Sequence, residues 1–197
     1  YVIPPMPEPE AETREGILRG IYRFSSCDNE PKRPKAHLLG SGAILNEARQ
    51  AADLLSELGV ASDIWSVTSY QQLYQDISET ERWNLLHPGQ QPRQSYVARA
   101  FAGEQGGVFV AATDYLRVLP ALITDHLPGP VTRLGTDGFG RSDTRTALRD
   151  HFEVSARYIA LAALQRLHGE RLISKRALDQ GVRRLDIDPE KINALYA

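Results

Sequence analysis

Hydrophobic and polar positions alternate along the chain with periods that predict both strands and helices. Residues 16–24 predict a short helix leading into a first strand, and the polar, turn-rich residues 25–35 predict a surface hairpin loop. Four further apolar runs predict strands, at residues 36–42, 60–69, 107–114 and 131–135. The pattern therefore contains five candidate strands.

Helical periods separate these strands. After residue 42, apolar side chains recur every three or four positions, as on one face of a helix: Ile44, Ala48, Ala51, Ala52, Leu55 and Leu58. Gly59 follows them and is typical of a helix end. Further helices are predicted at residues 70–88, 95–103 and 115–126, the last interrupted by Pro120. Three C-terminal helices and a last turn complete the pattern, with predicted N-terminal caps at Ser142, Ser155, Ser174 and Asp188.

Strands that alternate with helices are joined by parallel crossovers, so the pattern predicts an α/β sandwich with a mostly parallel sheet. The first strand lacks a preceding crossover and can run antiparallel at an edge. We expect one domain over residues 16–197. Residues 1–15 begin with a proline-rich segment that cannot form a helix or a central strand. We interpret them as a linker from upstream domains that this sequence lacks.

Composition and charge exclude some classes of function and partner. Hydrophobic residues make up 42% of the chain and charged residues 24%, which is typical of globular proteins. A net charge of −2 provides no basic excess to neutralise nucleic-acid phosphates. No apolar run is long enough to cross a membrane. The single cysteine, Cys27, excludes an internal disulfide and fits a cytoplasmic protein. We expect neither nucleic acid nor a membrane as a partner.

The segment GTDGFGRSDTR, residues 135–145, is the first candidate for a functional loop. Its charged residues are expected to pair with one another, and Phe139, between two glycines, is expected to pack against a neighbouring surface. A catalytic carboxylate needs a partner acid, base or metal, and none stands at a recognisable spacing. An interface or inter-domain loop is therefore favoured over direct contact with a substrate or cofactor. The candidate residues are Asp137, Phe139, Gly140, Arg141, Ser142 and Asp143.

Two other segments supply secondary candidates. The first, Gly40, Ser41 and Gly42, joins a strand to a helix N-terminus, where free backbone N–H groups can hold an anion. A tight turn is favoured there, because the third glycine of a dinucleotide fingerprint and the lysine of a P-loop are absent. The second, ERWNLLHP, contains Arg82, Trp83 and His87, a mixture typical of interfaces. A hydrogen-bonding role at a helix end is favoured for His87, and the five histidines show no metal-ligand spacing.

Six segments in order resemble the C-terminal region of the homodimeric pyruvate dehydrogenase decarboxylase component, a member of the transketolase superfamily. These segments are LLGSGAI, SDIWSVTSY, ERWNLLHP, ATDYLRV, LGTDGFGRSDTR and HFEVSARYIALAAL. PPMPE near the start resembles the linker before that region, so the resemblance covers nearly the whole chain. It implies a three-layer α/β/α sandwich whose five-stranded sheet has one antiparallel edge strand. Asp137, Phe139, Gly140 and Ser142 match a D-x-F-G-x-S element of the superfamily.

The resemblance also implies an activity for a parent enzyme. Such enzymes decarboxylate pyruvate with thiamin diphosphate and magnesium, and they acetylate the lipoyl group of dihydrolipoyl acetyltransferase. The residues that bind the cofactor lie in the preceding domains, so the resemblance assigns no catalytic, cofactor-binding or metal-binding residue to this chain. It implies that the chain alone is inactive and supports a homodimer through contacts with the upstream domains.

Two alternative roles stay open. The late helices carry basic residues that an acidic partner could contact, which would make the chain a docking module for the acyltransferase core. These residues are Arg171, Lys175, Arg176, Arg183 and Arg184. A solvated helical face explains them more simply. The other alternative is a regulatory small-anion site at residues 40–42.

Overall fold

The computed structural model describes residues 10–26, 33–104 and 106–197, and it contains the five predicted strands. Their bounds are Ile21–Ser25 (β1), Lys35–Ser41 (β2), Ala61–Val67 (β3), Val108–Ala112 (β4) and Val131–Leu134 (β5). The three central strands are buried along nearly their whole length. Their continuous apolar patterns reflect this, because both faces of a mostly parallel sheet are covered by helices.

The strands form one sheet in the order β1-β3-β2-β4-β5. β2 pairs in parallel with β3 and β4, and β4 pairs in parallel with β5. β1 lies at one edge and pairs antiparallel with β3. The mostly parallel sheet with one antiparallel edge strand is therefore confirmed. The hairpin predicted at residues 25–35 is wrong, because β3 separates β1 from β2; residues 27–32 of that segment, with Cys27, lie outside the described residues.

Helices pack on both faces of this sheet. Their bounds are Ala11–Arg19 (α1), Leu45–Glu57 (α2), Tyr70–Leu86 (α3), Tyr96–Ala100 (α4), Val118–Ala121 (α5), Arg145–His151 (α6), Ala156–Gly169 (α7) and Lys175–Leu185 (α8). The first helix begins at residue 11, so the last residues assigned to the linker belong to α1; residues 1–9 lie outside the described ranges. In the described part of the chain, no helix is both long and apolar enough to span a membrane.

Two hydrophobic cores lie on opposite faces of the sheet. Successive side chains of a strand point to opposite sides, so Leu38 and Leu39 of β2 enter different cores. The first core contains residues of α2, α7 and α8, and the second contains residues of α3 and α4. The three-layer α/β/α sandwich is confirmed by this arrangement.

Some helix ends follow the predicted signals and others do not. Gly59 ends α2 with a φ of +77°, and the Ser174 hydroxyl accepts a hydrogen bond from the Ala177 N–H at the start of α8. The cap of α6 is Thr144 and not Ser142, because the Thr144 Oγ1 accepts from the Ala147 N–H. The long helix predicted over residues 115–126 is reduced to α5 and a 3-10 turn at Thr124–His126. Ser155 occupies the cap position of α7 without a side-chain hydrogen bond to that helix.

Candidate functional site

The loops that leave the parallel strands meet at the carboxyl edge of the sheet. The loop after β4 and the loop after β5 are joined through Thr136, whose N–H donates to the Tyr115 carbonyl at 2.9 Å. The Thr136 hydroxyl also donates to the Asp114 carbonyl at 2.9 Å. In open α/β sheets, this edge is where ligands and partners usually bind.

Asp137, Arg141 and Asp143 do not form the ion pairs with one another that the sequence suggested. The Asp137 carboxylate instead accepts hydrogen bonds from the backbone N–H and the Nε of Arg117, at 3.1 and 2.8 Å. Asp143 accepts from the next backbone N–H, at Thr144. Arg141 is exposed and has no ion pair with any described residue. The predicted pairing within the loop is wrong because the neighbouring β4–α5 loop supplies the arginine.

One glycine of this loop is required by its surroundings, whereas another is not. Gly138 has a φ of +125°, and a Cβ there would lie 2.3 Å from the Ala194 carbonyl oxygen. The absent side chain therefore lets the C-terminal segment lie against the loop. A Cβ on Gly140 would meet nothing within 4 Å. The space around Gly140 is therefore open.

Large apolar side chains are exposed at the same edge. Phe139 is 82% exposed, and the loops in contact with its own expose five more apolar side chains. We call these six residues the carboxyl-edge surface: Tyr115, Leu116, Val118, Phe139, Leu195 and Tyr196. Several exposed apolar side chains on three adjoining chain segments are typical of a protein–protein contact.

A groove of about 310 Å³ lies beside this surface. Ile44, Leu148 and Phe152 contribute apolar lining, and Asp114 and Arg141 contribute charged groups. The sequence could not reveal this groove, because its lining comes from five separate segments.

The glycine turn at residues 40–42 lies in the same region. A Cβ on Gly40 would lie 2.7 Å from the Leu45 Cα, so this glycine allows α2 to pack closely on β2. The Ser41 hydroxyl donates to the Thr113 hydroxyl at 2.8 Å, and Gly42 has a φ of +54°. The first turn of α2 also contains a buried carboxylate, Glu47. Its oxygens are taken up by Arg149 at 2.6 Å and by the Ala156 N–H at 2.9 Å. The close packing at Gly40 favours the tight turn.

The segment around Trp83 forms a stacked group at the end of α3. The Arg93 guanidinium lies 3.8 Å from the centre of the Trp83 ring, and the His87 ring stacks on Trp83 at 4.3 Å. The His87 Nδ1 lies 2.8 Å from the Trp83 carbonyl oxygen, so the ring has a hydrogen-bonding position at the helix end. Arg82 is exposed nearby and is not ion-paired with a described residue. This group lies away from the carboxyl-edge loops.

Sequence reasoning missed a polar cluster at the opposite, amino edge of the sheet. The Lys35 Nζ lies 2.8 Å from both the Asp63 Oδ2 and the Glu104 Oε2. Arg23 forms an ion pair with Glu104, and the fully buried His37 lies between the two carboxylates. We call Arg23, Lys35, His37, Asp63 and Glu104 the amino-edge cluster. The sequence shows His37 and Asp63 as polar residues among apolar strand residues, which could have marked them as candidates. It does not show that their two strands are neighbours.

The pKa values of this cluster reflect burial and ion pairing. Burial lowers the pKa of His37 to about 4, and it outweighs the opposite effect of Asp63. Burial alone would lower the pKa of Lys35, but hydrogen bonds to Asp63 and Glu104 raise it above its ordinary value. Burial likewise tends to raise the pKa of Glu104, but Lys35 and Arg23 lower it. The His37 ring is therefore neutral at pH 7, and Lys35 and Glu104 are charged.

Comparisons with known proteins agree with the fold and define a family. The model of the transketolase-like C-terminal domain matches residues 20–155. The pyruvate dehydrogenase E1 component of Pseudomonas aeruginosa is 43% identical over 200 residues, which cover 99% of this chain and 22% of that protein. The Escherichia coli K12 protein of the same name is 42% identical over 199 residues, which cover 100% of this chain and 22% of that protein.

A solved structure supports the fold alone. The transketolase of Leishmania mexicana superposes with a TM-score of 0.52 at 16% identity, over 79% of this chain and 19% of that chain.

The chain spans about a fifth of the length of its curated relatives. The resemblance to the transketolase superfamily is confirmed, and the chain belongs to the family of transketolase-like C-terminal domains.

Proposed function

We propose that this chain acts as the C-terminal domain of a thiamin diphosphate-dependent pyruvate dehydrogenase E1 component. In that enzyme, pyruvate is decarboxylated and its acetyl group is passed to the lipoyl group of dihydrolipoyl acetyltransferase. The observation that carries this proposal is the identity of 43% and 42% with two proteins of that name, which extends over nearly the whole chain. The cytoplasmic location stays a prediction that accompanies this proposal.

The described residues do not fit the cofactor itself. The only acidic residue of TDGFG, Asp137, is already occupied by Arg117. The single group of described residues with metal-ligand geometry lies at the amino edge, away from the loops of the carboxyl edge. No step of the reaction is therefore assigned to this chain. Its proposed contribution is structural.

The carboxyl-edge surface is the proposed contact with the upstream domains or a second subunit. Phe139 is the central side chain because it is large, 82% exposed and held on a loop that Asp137 and Gly138 fasten to two neighbours. Burying such a side chain contributes roughly 1.5–3 kcal/mol, which is large for one residue of an interface. Arg141, exposed beside the groove, adds a charge that an acidic group on the partner can neutralise.

The test uses the full-length enzyme that contains this chain. Phe139→Ser and Arg141→Ala are expected to weaken dimerisation or thiamin diphosphate retention, measured by sedimentation and by calorimetric titration of the cofactor. Leu18→Ser is the matched control, because Leu18 is 79% exposed but lies on α1, outside the carboxyl-edge surface. Wild-type mass and cofactor affinity in both test variants would reject this contact. They would leave the family assignment unaffected.

The predicted inactivity of the chain alone has a separate test. Titration of thiamin diphosphate and Mg²⁺ into the 197-residue chain is expected to give no binding heat, whereas the full-length enzyme gives a saturable signal. Acetyl transfer by the chain alone, or saturable binding of the cofactor, would contradict the structural role.

A second candidate function is docking to the acyltransferase, and the surface of α8 favours it. Lys175 pairs with Asp179, and Arg184 pairs with Glu57, so part of the basic charge is neutralised. The remaining basic residues are exposed and have no ion pair among the described residues: Arg171, Arg176 and Arg183. A pull-down with isolated acyltransferase tests this function. Binding that falls with salt and is lost in an Arg176→Glu, Arg183→Glu variant would support docking, and no binding would exclude it.

A further inference from the structure

Three potential metal ligands converge at the amino edge of the sheet. They come from the start of β2, the start of β3 and the segment before β4: His37, Asp63 and Glu104. One ligand atom from each lies within 4.8 Å of the other two. The Nδ1 of His37 is 3.7 Å from the Asp63 Oδ2, and its Nε2 is 3.8 Å from the Glu104 Oε2. Only one of the two ring nitrogens can ligate a given ion, so the candidate ligand set is that nitrogen with one oxygen from each carboxylate.

The imidazole of His37 is buried without a hydrogen bond. Its exposure is 0%, and neither ring nitrogen has a hydrogen-bond partner among the described residues. The ring is fixed by stacking on Phe109 at 4.6 Å and by an edge contact with Phe101. A buried imidazole normally satisfies at least one nitrogen, because an unsatisfied polar group lowers stability. The fixed ring presents its nitrogens to the two carboxylates, so a cation between them would satisfy one.

The cluster already holds a cationic group at this place. The Lys35 ammonium lies 2.8 Å from one oxygen of Asp63 and 2.8 Å from one oxygen of Glu104. The Lys35 side chain is 29% exposed, whereas those of His37 and Asp63 are fully buried. The lysine can therefore swing toward solvent on its flexible stem, but the other two side chains cannot.

We propose that His37, Asp63 and Glu104 form a binding site for Zn²⁺, in which the metal ion displaces the Lys35 ammonium. One imidazole nitrogen and two carboxylate oxygens are ligands that zinc accepts, and a water molecule completes four-coordination. The nitrogen ligand disfavours Mg²⁺ and Ca²⁺, which prefer oxygen ligands. Bound zinc would join β2, β3 and the segment before β4, so it acts as a stabilising clamp and takes no part in catalysis. The site is independent of the proposed pyruvate dehydrogenase function.

The test is titration of the chelator-treated 197-residue chain with Co²⁺ and with Zn²⁺. Tetrahedral Co²⁺ reports an imidazole and carboxylate site by its visible absorption, and Zn²⁺ binding is measured by calorimetry and by the rise in Tm. We expect one equivalent per chain. Lys35→Met removes the competing ammonium and is expected to tighten Zn²⁺ binding, because the metal ion then has no cation to displace from the two carboxylates.

Two further variants separate this site from surface binding. His37→Phe keeps the stacking on Phe109 and is expected to abolish the Co²⁺ absorption. Glu104→Gln removes a direct ligand and is expected to lower the Co²⁺ affinity by at least the ~10–100-fold that loss of an indirect partner causes. His126→Ala is the matched control, because His126 and Glu81 form a partly exposed histidine–carboxylate pair 3.4 Å apart. This control should bind like the wild type. Circular dichroism establishes that each variant is folded.

The following results would support or overturn the proposed zinc site. Loss of the stoichiometric signal in folded His37→Phe, with retention in His126→Ala, supports the site. Equal titrations for wild type and His37→Phe would overturn it, as would a folded Lys35→Met chain that binds no zinc. If His37→Phe fails to fold, the Glu104→Gln titration decides, because Glu104 lies in a loop and is partly accessible.

Discussion

The two edges of the sheet differ in which side chains they leave exposed to solvent and which they match with partners in the chain. At the amino edge, charged groups are matched: the buried Asp63 and the largely buried Glu104 face the more exposed Arg23 and Lys35. At the carboxyl edge, an apolar side chain, Phe139, is left in solvent. A buried charge must be paired for the chain to fold, whereas an exposed phenylalanine contributes little to folding. The charges of the first region are therefore matched within the chain, whereas the exposed ring of the second is accounted for by the proposed contact with a partner.

The first prediction tests whether the amino-edge cluster stabilises the fold. Asp63→Ala removes the fully buried carboxylate that faces Lys35 and that also accepts from the Ser26 hydroxyl at 2.9 Å. We expect a loss of up to about 3 kcal/mol in the free energy of unfolding, because the Lys35 ammonium keeps only one carboxylate partner and the Ser26 hydroxyl loses an acceptor. Urea unfolding of the 197-residue chain measures this loss.

The matched control for this change is Asp179→Ala. Asp179 pairs with Lys175 on the surface of α8, where both side chains are largely in solvent. Its removal is expected to change stability by less than about 0.5 kcal/mol. Equal effects of the two substitutions would show that burial of the cluster is unimportant.

The second prediction concerns the loss of folding stability at acidic pH. Because the pKa of His37 is lowered to about 4 in the folded chain, the unfolded chain takes up a proton at about pH 6.5 that the folded chain rejects. Stability is therefore expected to fall between pH 6.5 and 4, by up to about 3 kcal/mol, with no further loss from this group below pH 4. Asp63 and Glu104 oppose this shift in pKa, and Lys35 adds to it.

Unfolding in chelator-containing buffers across this pH range measures the effect. His37→Phe, which cannot titrate, should show a smaller loss of stability than the wild type. Parallel pH profiles for the two proteins would contradict the prediction.

The third prediction compares two glycines of the carboxyl-edge loop. Gly138→Ala places a side chain at a φ of +125° and against the Ala194 carbonyl oxygen. We expect a loss of about 1–3 kcal/mol or release of the C-terminal segment, seen as faster proteolysis near residue 194. Gly140→Ala meets no neighbouring atom and should behave like the wild type in both measurements. Similar behaviour of the two variants would show that the C-terminal segment does not pack on the loop.

Most of the fold follows from local patterns in the sequence, but the contacts at both sheet edges do not. The stripe from Ile44 to Leu58 predicts α2 because its helical period continues over the whole helix. The same residues pack in the first core of the structure. The hairpin prediction failed because local sequence patterns do not reveal which strand pairs with β1. The pairing of Asp137 with Arg117 was missed for the same reason, since these residues come from different loops. His37 and Asp63 are each visible as polar residues in apolar strands, but only the register of β2 on β3 brings them together.

The smallest expected effect is the sharpest test of the comparison between the two edges. Phe139→Ala should change the free energy of unfolding by less than about 0.5 kcal/mol, because the ring is 82% exposed. The same substitution at Phe109, which is fully buried and stacks on His37, should cost about 3–5 kcal/mol. Urea unfolding of the two variants measures both values. A large loss for Phe139→Ala would mean that this ring serves the fold of its own chain, and the carboxyl-edge surface would then no longer require a partner.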